Sequence, residues 1–288
     1  MQIINGREIA EEIREELKSD IKKLKVKPCI VVILVGDDPA SVSYVTGKHK
    51  ACEEIGIKSL VVKEKADIKE EELLKIVDKY NKDSSVHGIL VQLPLPKHID
   101  QEKVIERISP EKDVDGFHPI NLGKMVRGLT CFLPATPAGI KELLIRSGNL
   151  PEGKNVVIVG RSNLVGKPIA NILMGKGKGE NATVTVVHSG TKDLQKFTKE
   201  ADILIVAIGK PQFITKDMVK KGAVVIDVGV NRVEDKTKKN GFRLIGDVDY
   251  EGVLGFVKAI TPVPGGVGPM TITMLLKNTV EATKYINK

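Results

Sequence analysis

Four β-branched residues in succession, Val156-Val157-Ile158-Val159, end at once on Gly160, and this stretch constrains the chain more than any other. Such a run reads as a strand buried on both faces of a parallel sheet. The polar turn Arg161-Ser162-Asn163 leads to Val165-Gly166-Lys167-Pro168, which opens an apolar helical pattern through Ile169, Ile172 and Leu173. Strand, glycine turn and helix together present backbone N–H groups and a helix N-terminus to a diphosphate. Ser162 stands where a dinucleotide fingerprint has its second glycine, so a plain strand-to-helix connection also fits the pattern.

The same alternation runs along the whole chain. Apolar positions at Ile9, Ile13, Leu17, Ile21 and Leu24 follow the helical period over residues 6–24. Pro28 precedes a buried strand over residues 30–35, and Gly36-Asp37-Asp38-Pro39 ends it. Residues 40–55 are helical, Gly56 closes that helix, and residues 58–62 form a short strand. An amphipathic helix over 69–81 leads to a strand at 88–91, which runs into Gln92-Leu93-Pro94-Leu95-Pro96. Residues 109–137 read as a loop-rich stretch, and residues 138–146 as a helix. Beyond the opening strand, further strands are expected at 183–187, 203–206 and 224–227, and a last helix over 270–286. The fold class is α/β with two domains, each built on a mostly parallel sheet, the second of them Rossmann-like.

At 288 residues there is enough chain for two ordinary domains. No apolar stretch approaches the ~20 residues of a membrane span, and charges at Arg7 and Glu8 leave no secretory signal. A cytoplasmic location without membrane partners is the expectation. The formal charge of +8 raises the question of nucleic acid, but the lysines alternate with glutamates along helical stretches and no nucleic-acid module is visible. Cys29, Cys52 and Cys131 are scattered and read as buried reduced thiols, and the five histidines lack metal-ligand spacing, so no metal is expected.

Chemistry concentrates at a few positions. Tyr44 and Lys48 share one helix face, a phenol beside an ammonium that could move protons if burial lowers the lysine pKa. Surface coverage by the same pair is the alternative. Gln92 closes a strand, where open α/β sheets bind ligands. Asp113 and Asp115 lie in an Asp-Val-Asp-Gly loop, where either could serve a ligand or fold an Asx-turn. The strand at 183–187 ends in His188-Ser189 instead of the acid that binds NAD ribose, and Arg161 is placed to meet a 2′-phosphate, so NADP is favoured over NAD.

These segments resemble the bifunctional methylenetetrahydrofolate dehydrogenase/methenyltetrahydrofolate cyclohydrolase family over essentially the full length. The resemblance rests on Ser43-Tyr44-Val45-Thr46-Gly47-Lys48, Val91-Gln92-Leu93-Pro94-Leu95, Lys112-Asp113-Val114-Asp115-Gly116, Gly160-Arg161-Ser162 with Val165-Gly166-Lys167-Pro168, Gly246-Asp247-Val248-Asp249, and Pro264-Gly265-Gly266-Val267-Gly268-Pro269, in that order. It implies a folate-binding catalytic domain over 1–138 completed by a C-terminal helix over 270–288. An NADP-binding domain would occupy 139–269, with a cleft between the two, in a homodimer. It also implies oxidation of 5,10-methylenetetrahydrofolate with NADP, then hydrolysis to 10-formyltetrahydrofolate.

By position, Lys48 would be the principal catalytic residue, Gln92 would orient it, Tyr44 would pack on the pterin and Asp115 would hold the pterin's polar edge. Val91, Leu93, Pro264, Gly265 and Gly268 would add substrate contacts, and Gly160, Arg161, Ser162, Ser189 and Val230 would contact the cofactor. Two rivals stay open at this level: an NADP-dependent reductase of another small carbonyl or imine, and a nonenzymatic NADP- or RNA-binding module.

Overall fold

The computed structural model describes residues 1–238 and 241–286. The chain divides into two compact units, one of Met1–Ala10 with Thr136–Thr271, the other of Glu11–Ala135 with the chain from Ile272 onward. The expected range 1–138 differs from this division at its start. Met1–Ala10 group with the later unit because strand β1 (Gln2–Ile3) pairs in parallel with β11 (Ala259–Ile260). Residues 287–288 of the expected 270–288 segment lie outside the described residues.

The unit holding Glu11–Ala135 has a three-stranded parallel sheet in the order β3 (Lys58–Glu64), β2 (Cys29–Val35), β4 (Gly88–Val91). Every residue of β2 is buried, as its unbroken apolar run demands of a central strand, whereas β3 at the edge keeps partial exposure. The core gathers Val31, Ile33, Ile89 and Val91 from the sheet with Leu73 and Val77 of helix α3 (Glu70–Lys82). Helix α1 (Gly6–Ile21) precedes the sheet. Helix α2 (Pro39–Ile55) starts on Asp38, whose carboxylate accepts the Ser41 N–H, and has Pro39 in its first turn. Gly56 ends it in the left-handed region.

Helix α4 (Gln101–Arg107) lies just before the stretch expected to be loop, and α5 (Pro119–Val126) lies within it. Pro119 opens α5, and His118 caps it by accepting the Ile120 N–H on Nδ1. A proline-opened helix with a histidine cap gives little periodic signal. Helix α6 (Ala135–Arg146) begins three residues before its expected start, at Ala135 rather than Ala138.

The other unit carries a six-stranded, wholly parallel sheet. Its order is β1, β11, β8 (Val224–Asp227), β7 (Ile203–Val206), β5 (Asn155–Val159) and β6 (Thr183–Val187). Val156–Val159 are essentially inaccessible, as four β-branched residues in a central parallel strand should be. The chain leaves β5 through helix α7 (Gly166–Leu173) to β6 on one side, then passes by helix α8 (Leu194–Thr198) to β7 on the other. That reversal opens a crevice at the carboxyl ends of β5 and β7. An antiparallel ribbon of β9 (Asn231–Glu234) and β10 (Phe242–Ile245) and a short helix α9 (Tyr250–Val253) follow β8. The last helix, α10 (Val267–Ile286), starts at Val267 instead of Met270.

Candidate active site

The three-stranded sheet has its own reversal: β2 leads through α2 to β3 on one side, and α3 returns the chain to β4 on the other. The carboxyl ends of β2 and β4 therefore face a crevice, and α2 and the segment after β4 border it. Lys48 on α2 and Gln92 after β4 meet there, Lys48 Nζ donating to Gln92 Oε1 at 3.1 Å. Gln92 is held in turn, its backbone N–H donating to Ile33 O and its Nε2 to Leu93 O.

Only 8% of Lys48 is exposed. Burial pushes its pKa below the ordinary lysine value, against the pull of the Asp115 carboxylate. Asp115 moves the other way, to about 6, because burial disfavours its charge and Asp113 adds repulsion while Lys48 opposes both. Burial thus weakens the charge on both groups, while each one's charge favours the other's. Cys52, one turn further along α2, is raised by burial to about 12 and stays a thiol.

The structure separates the two acids that the loop pattern alone left equivalent. Asp113 is turned into its own loop, accepting the N–H groups of Gly116, Phe117 and His118 and the Asn121 side-chain amide. Backbone pairing of Ile89 with the 112–113 segment lays that loop beside β4. Asp113 fixes the loop and Asp115 is left to face Lys48. Asn278 of α10 donates to Val114 O and Leu133 O, at 2.9 Å each, and ties the same loop to the last helix.

Tyr44, on the Lys48 face of α2, is 48% exposed and presents its ring to solvent. Val91 is buried in the end of β4, and Leu93 is partly open. Pro264, Gly265 and Gly268 belong to the six-stranded unit, where Pro264 and Gly268 are exposed and Gly265 is buried against Arg7. Of the cysteines, Cys29 and Cys52 are buried, but Cys131 is partly accessible, which departs from the expectation of three buried thiols.

The six-stranded unit has a cavity of about 320 Å³ at the crevice beside β5 and β7. Gly160, Arg161, His188, Ser189, Ile208 and Lys210 are in its wall. The donor set suits a nucleotide diphosphate: two cations, a serine hydroxyl and no carboxylate among the lining residues. Gly160 has φ +126°, and a Cβ there would lie 2.3 Å from Ala207 O; on Gly166 it would lie 2.3 Å from Gly160 O. Only bare backbone fits this cradle.

Ser162, expected at the cofactor, directs its hydroxyl to the first turn of α7 and accepts from Val165 and Gly166 N–H. Val230 sits past β8, 45% exposed and outside this cavity wall. Ile208, Lys210, Leu194 and Phe213 line the cavity but went unnoticed in the sequence. The ends of the strands at 203–206 were the available signal, since ligands of open sheets gather at carboxyl ends.

A nucleotide cradle on one parallel sheet and a buried lysine–carboxylate–amide cluster on another define an α/β oxidoreductase-type architecture with a proton-handling site. Residues 4–115 match the catalytic domain of tetrahydrofolate dehydrogenase/cyclohydrolase, and residues 134–287 match its NAD(P)-binding domain. The chain is 59% identical over 285 residues to the bifunctional protein FolD of Syntrophus aciditrophicus, covering 98% of this chain and 97% of that one. The crystal structure of the bifunctional FolD enzyme of Campylobacter jejuni superposes with a TM-score of 0.93 at 49% identity, covering 99% of each chain. The Trypanosoma brucei methylenetetrahydrofolate dehydrogenase-cyclohydrolase, solved with NADP and an inhibitor, gives 0.92 at 38% identity, over 98% of this chain and 97% of that one. The chain belongs to the tetrahydrofolate dehydrogenase/cyclohydrolase family.

Proposed function

We propose that the chain oxidises 5,10-methylenetetrahydrofolate to 5,10-methenyltetrahydrofolate with NADP and hydrolyses that product to 10-formyltetrahydrofolate, with Lys48, Gln92, Asp115 and Tyr44 at the folate. The observation that carries the site assignment is the buried Lys48 amine hydrogen-bonded to Gln92 with Asp115 opposite. Bound NADP supplies the hydride acceptor. Gly160, Arg161, Ser189 and Lys210 would hold it, Arg161 being the residue to meet the 2′-phosphate.

Hydrolysis asks the protein to place water at a cationic methenyl carbon and to take up its proton. A neutral Lys48 can accept that proton, and one of its N–H bonds, donated to Gln92 Oε1, holds its lone pair in a fixed direction. The positive charge of the bound methenyl group lowers the lysine pKa further and favours the neutral amine. Tyr44 gives the pterin a flat apolar surface, and Val91 and Leu93 add apolar contact. The ionised Asp115 accepts hydrogen bonds from the pterin's N–H edge. Pro264, Gly265 and Gly268 would supply a close, side-chain-poor wall to the substrate, Ser162 would act through the α7 turn, and Val230 would cover the nicotinamide end.

An absorbance time course tests the pair of activities. Methylenetetrahydrofolate with NADP should give NADPH while the methenyl band rises and then decays, with only weak NADH formation from NAD. A persistent methenyl band would remove hydrolysis from the reading, and no reduced nucleotide with either cofactor would end it.

The Asp115 role also fixes a pH dependence. Its carboxyl is raised, so the group is neutral below about pH 6 and charged above it. The folate KM should therefore climb by up to about tenfold per pH unit below that point. Asp115→Asn should start from a high KM at pH 7.5 and stay flat between pH 5 and 7. Initial rates over that range decide, and a flat wild-type profile would refute the assignment.

The family resemblance also supports a cytoplasmic homodimer acting on a small folate, without nucleic-acid or membrane partners. None of the described helices is long and apolar enough to cross a membrane. A monomer mass in sedimentation at micromolar concentration would refute the dimer.

A further inference from the structure

The Gly246-Asp247-Val248-Asp249 segment has no part in the folate chemistry, yet it brings together two of the most enclosed acids in the protein, Asp227 (2% exposed) and Asp247 (0% exposed). Asp247 Oδ2 accepts the backbone N–H groups of Ile208 at 2.8 Å and Gly209 at 2.9 Å. Its Oδ1 accepts from Asn231 Nδ2 at 2.8 Å. Asp227, the last residue of β8, accepts the N–H groups of Gly229 and Asp247 on Oδ1 and of Val248 on Oδ2, at 2.9–3.1 Å. Five backbone donors from three separate segments thus converge on two carboxylates.

Close approach is built into the backbone at both acids. A Cβ on Gly229 would lie 2.2 Å from Asp247 Cγ, and one on Gly246 would lie 1.8 Å from Asp227 Oδ2. Burial raises Asp227 to about 7, and the neighbouring charge, Asp247, adds to the rise instead of offsetting it. Filling the space with an apolar residue would avoid that expense. What a carboxylate offers is acceptor capacity on both oxygens, whereas an amide accepts on one.

The segment held by Asp247 is the wall of the nucleotide cavity. Ile208 and Lys210 line it and Gly209 lies between them. Gly209 turns the strip at φ +64°, open to glycine, while Gln212 at φ +51° takes a left-handed conformation that other residues rarely adopt. Conformations of that kind persist only where the surroundings enforce them. Gln212 N–H to Gly246 O and Ile214 N–H to Asp247 O add two further ties to the same strip.

We propose that Asp247 is a positioning residue for the nucleotide, fixing Ile208–Lys210 in the cavity wall, and that Asp227 fixes Asp247 and the Gly229 turn that leads to Val230. This rests on the reading of the cavity as the NADP site. Asp247→Ala frees both N–H groups and should raise the calorimetric Kd for NADP, measured without folate, by about tenfold or more. Asp247→Asn keeps one oxygen for Ile208 and Gly209, and a turned Asn231 amide can receive the new NH2. That variant should stay within about threefold of wild type. The KM for NADP should follow Kd, while the folate KM stays within about twofold.

In the unaltered enzyme the Ile208 and Gly209 amides should exchange slowly with deuterium, and NADP should slow them further. Wild-type protein that binds no NADP would overturn the reading of the cavity and with it the basis of the proposal. Wild-type protein that binds NADP beside a folded Asp247→Ala that binds it equally well would overturn the positioning role alone. Should Asp247→Ala fail to fold, the exchange data decide: fast exchange at those amides, or no response to NADP, overturns it.

Discussion

Lys48→Ala should lower methenyltetrahydrofolate hydrolysis by about 10²–10⁴-fold, the range a positioned proton acceptor contributes, and lower dehydrogenation much less. Hydride departure from the one-carbon bridge needs no proton acceptor at that carbon, whereas addition of water to it does. The 8% exposure of Lys48, its lowered pKa and its hydrogen bond to Gln92 are what a neutral amine at work requires. Lys48→Arg sharpens the result. Arginine keeps the charge and can still donate to Gln92, but it does not deprotonate in a protein. Hydrolysis should therefore stay lost in that variant. Both activities are read from one absorbance trace, with methenyltetrahydrofolate supplied directly for the second step. Loss of NADPH formation with hydrolysis spared would reverse the assignment.

Most of the sheet framework was legible because fully buried parallel strands carry an unbroken apolar run. Residues 88–91, 203–206 and 224–227 fall where that run put them, and the edge strand at 183–187, exposed in part, falls where its β-branched residues put it. The two-residue strands β1 and β11 have no run to show and exist through their pairing, β11 on β8 and β1 on β11. In the ribbon, β9 alternates partial and full exposure over only four residues and β10 has one exposed position, too little for periodicity to register. Within the site, helical spacing put Tyr44 and Lys48 on one face, and the strand-end rule pointed to Gln92. The loop pattern alone did not choose between Asp113 and Asp115, and the preference for Asp115 came from the family resemblance. The choice depends on which carboxylate meets the N–H groups of residues 116–118, and that is a property of the folded loop. The same limit hid Asp247, whose backbone partners at 208 and 209 lie far from it in the chain.

Gly160→Ala should abolish measurable NADP binding and destabilise its unit by several kcal/mol. The glycine stands at φ +126°, where an L-residue is strained by ~1–3 kcal/mol before any contact is counted. The added methyl would also lie 2.3 Å from Ala207 O and 3.1 Å from Ala207 C. Both are backbone atoms at the end of β7, paired in register with β5, so neither can swing aside as a side-chain tip would. Relief has to come from moving the turn or parting the ends of the two strands, and either movement deforms the cavity wall that Gly160 and Ala207 share. The three-stranded unit contains none of these residues. Urea unfolding of Gly160→Ala should therefore shift a transition reported from the six-stranded unit, and calorimetric titration of the folded protein should show no NADP heat. Wild-type affinity in a folded Gly160→Ala would mean that the cradle is not where the nucleotide's phosphates lie.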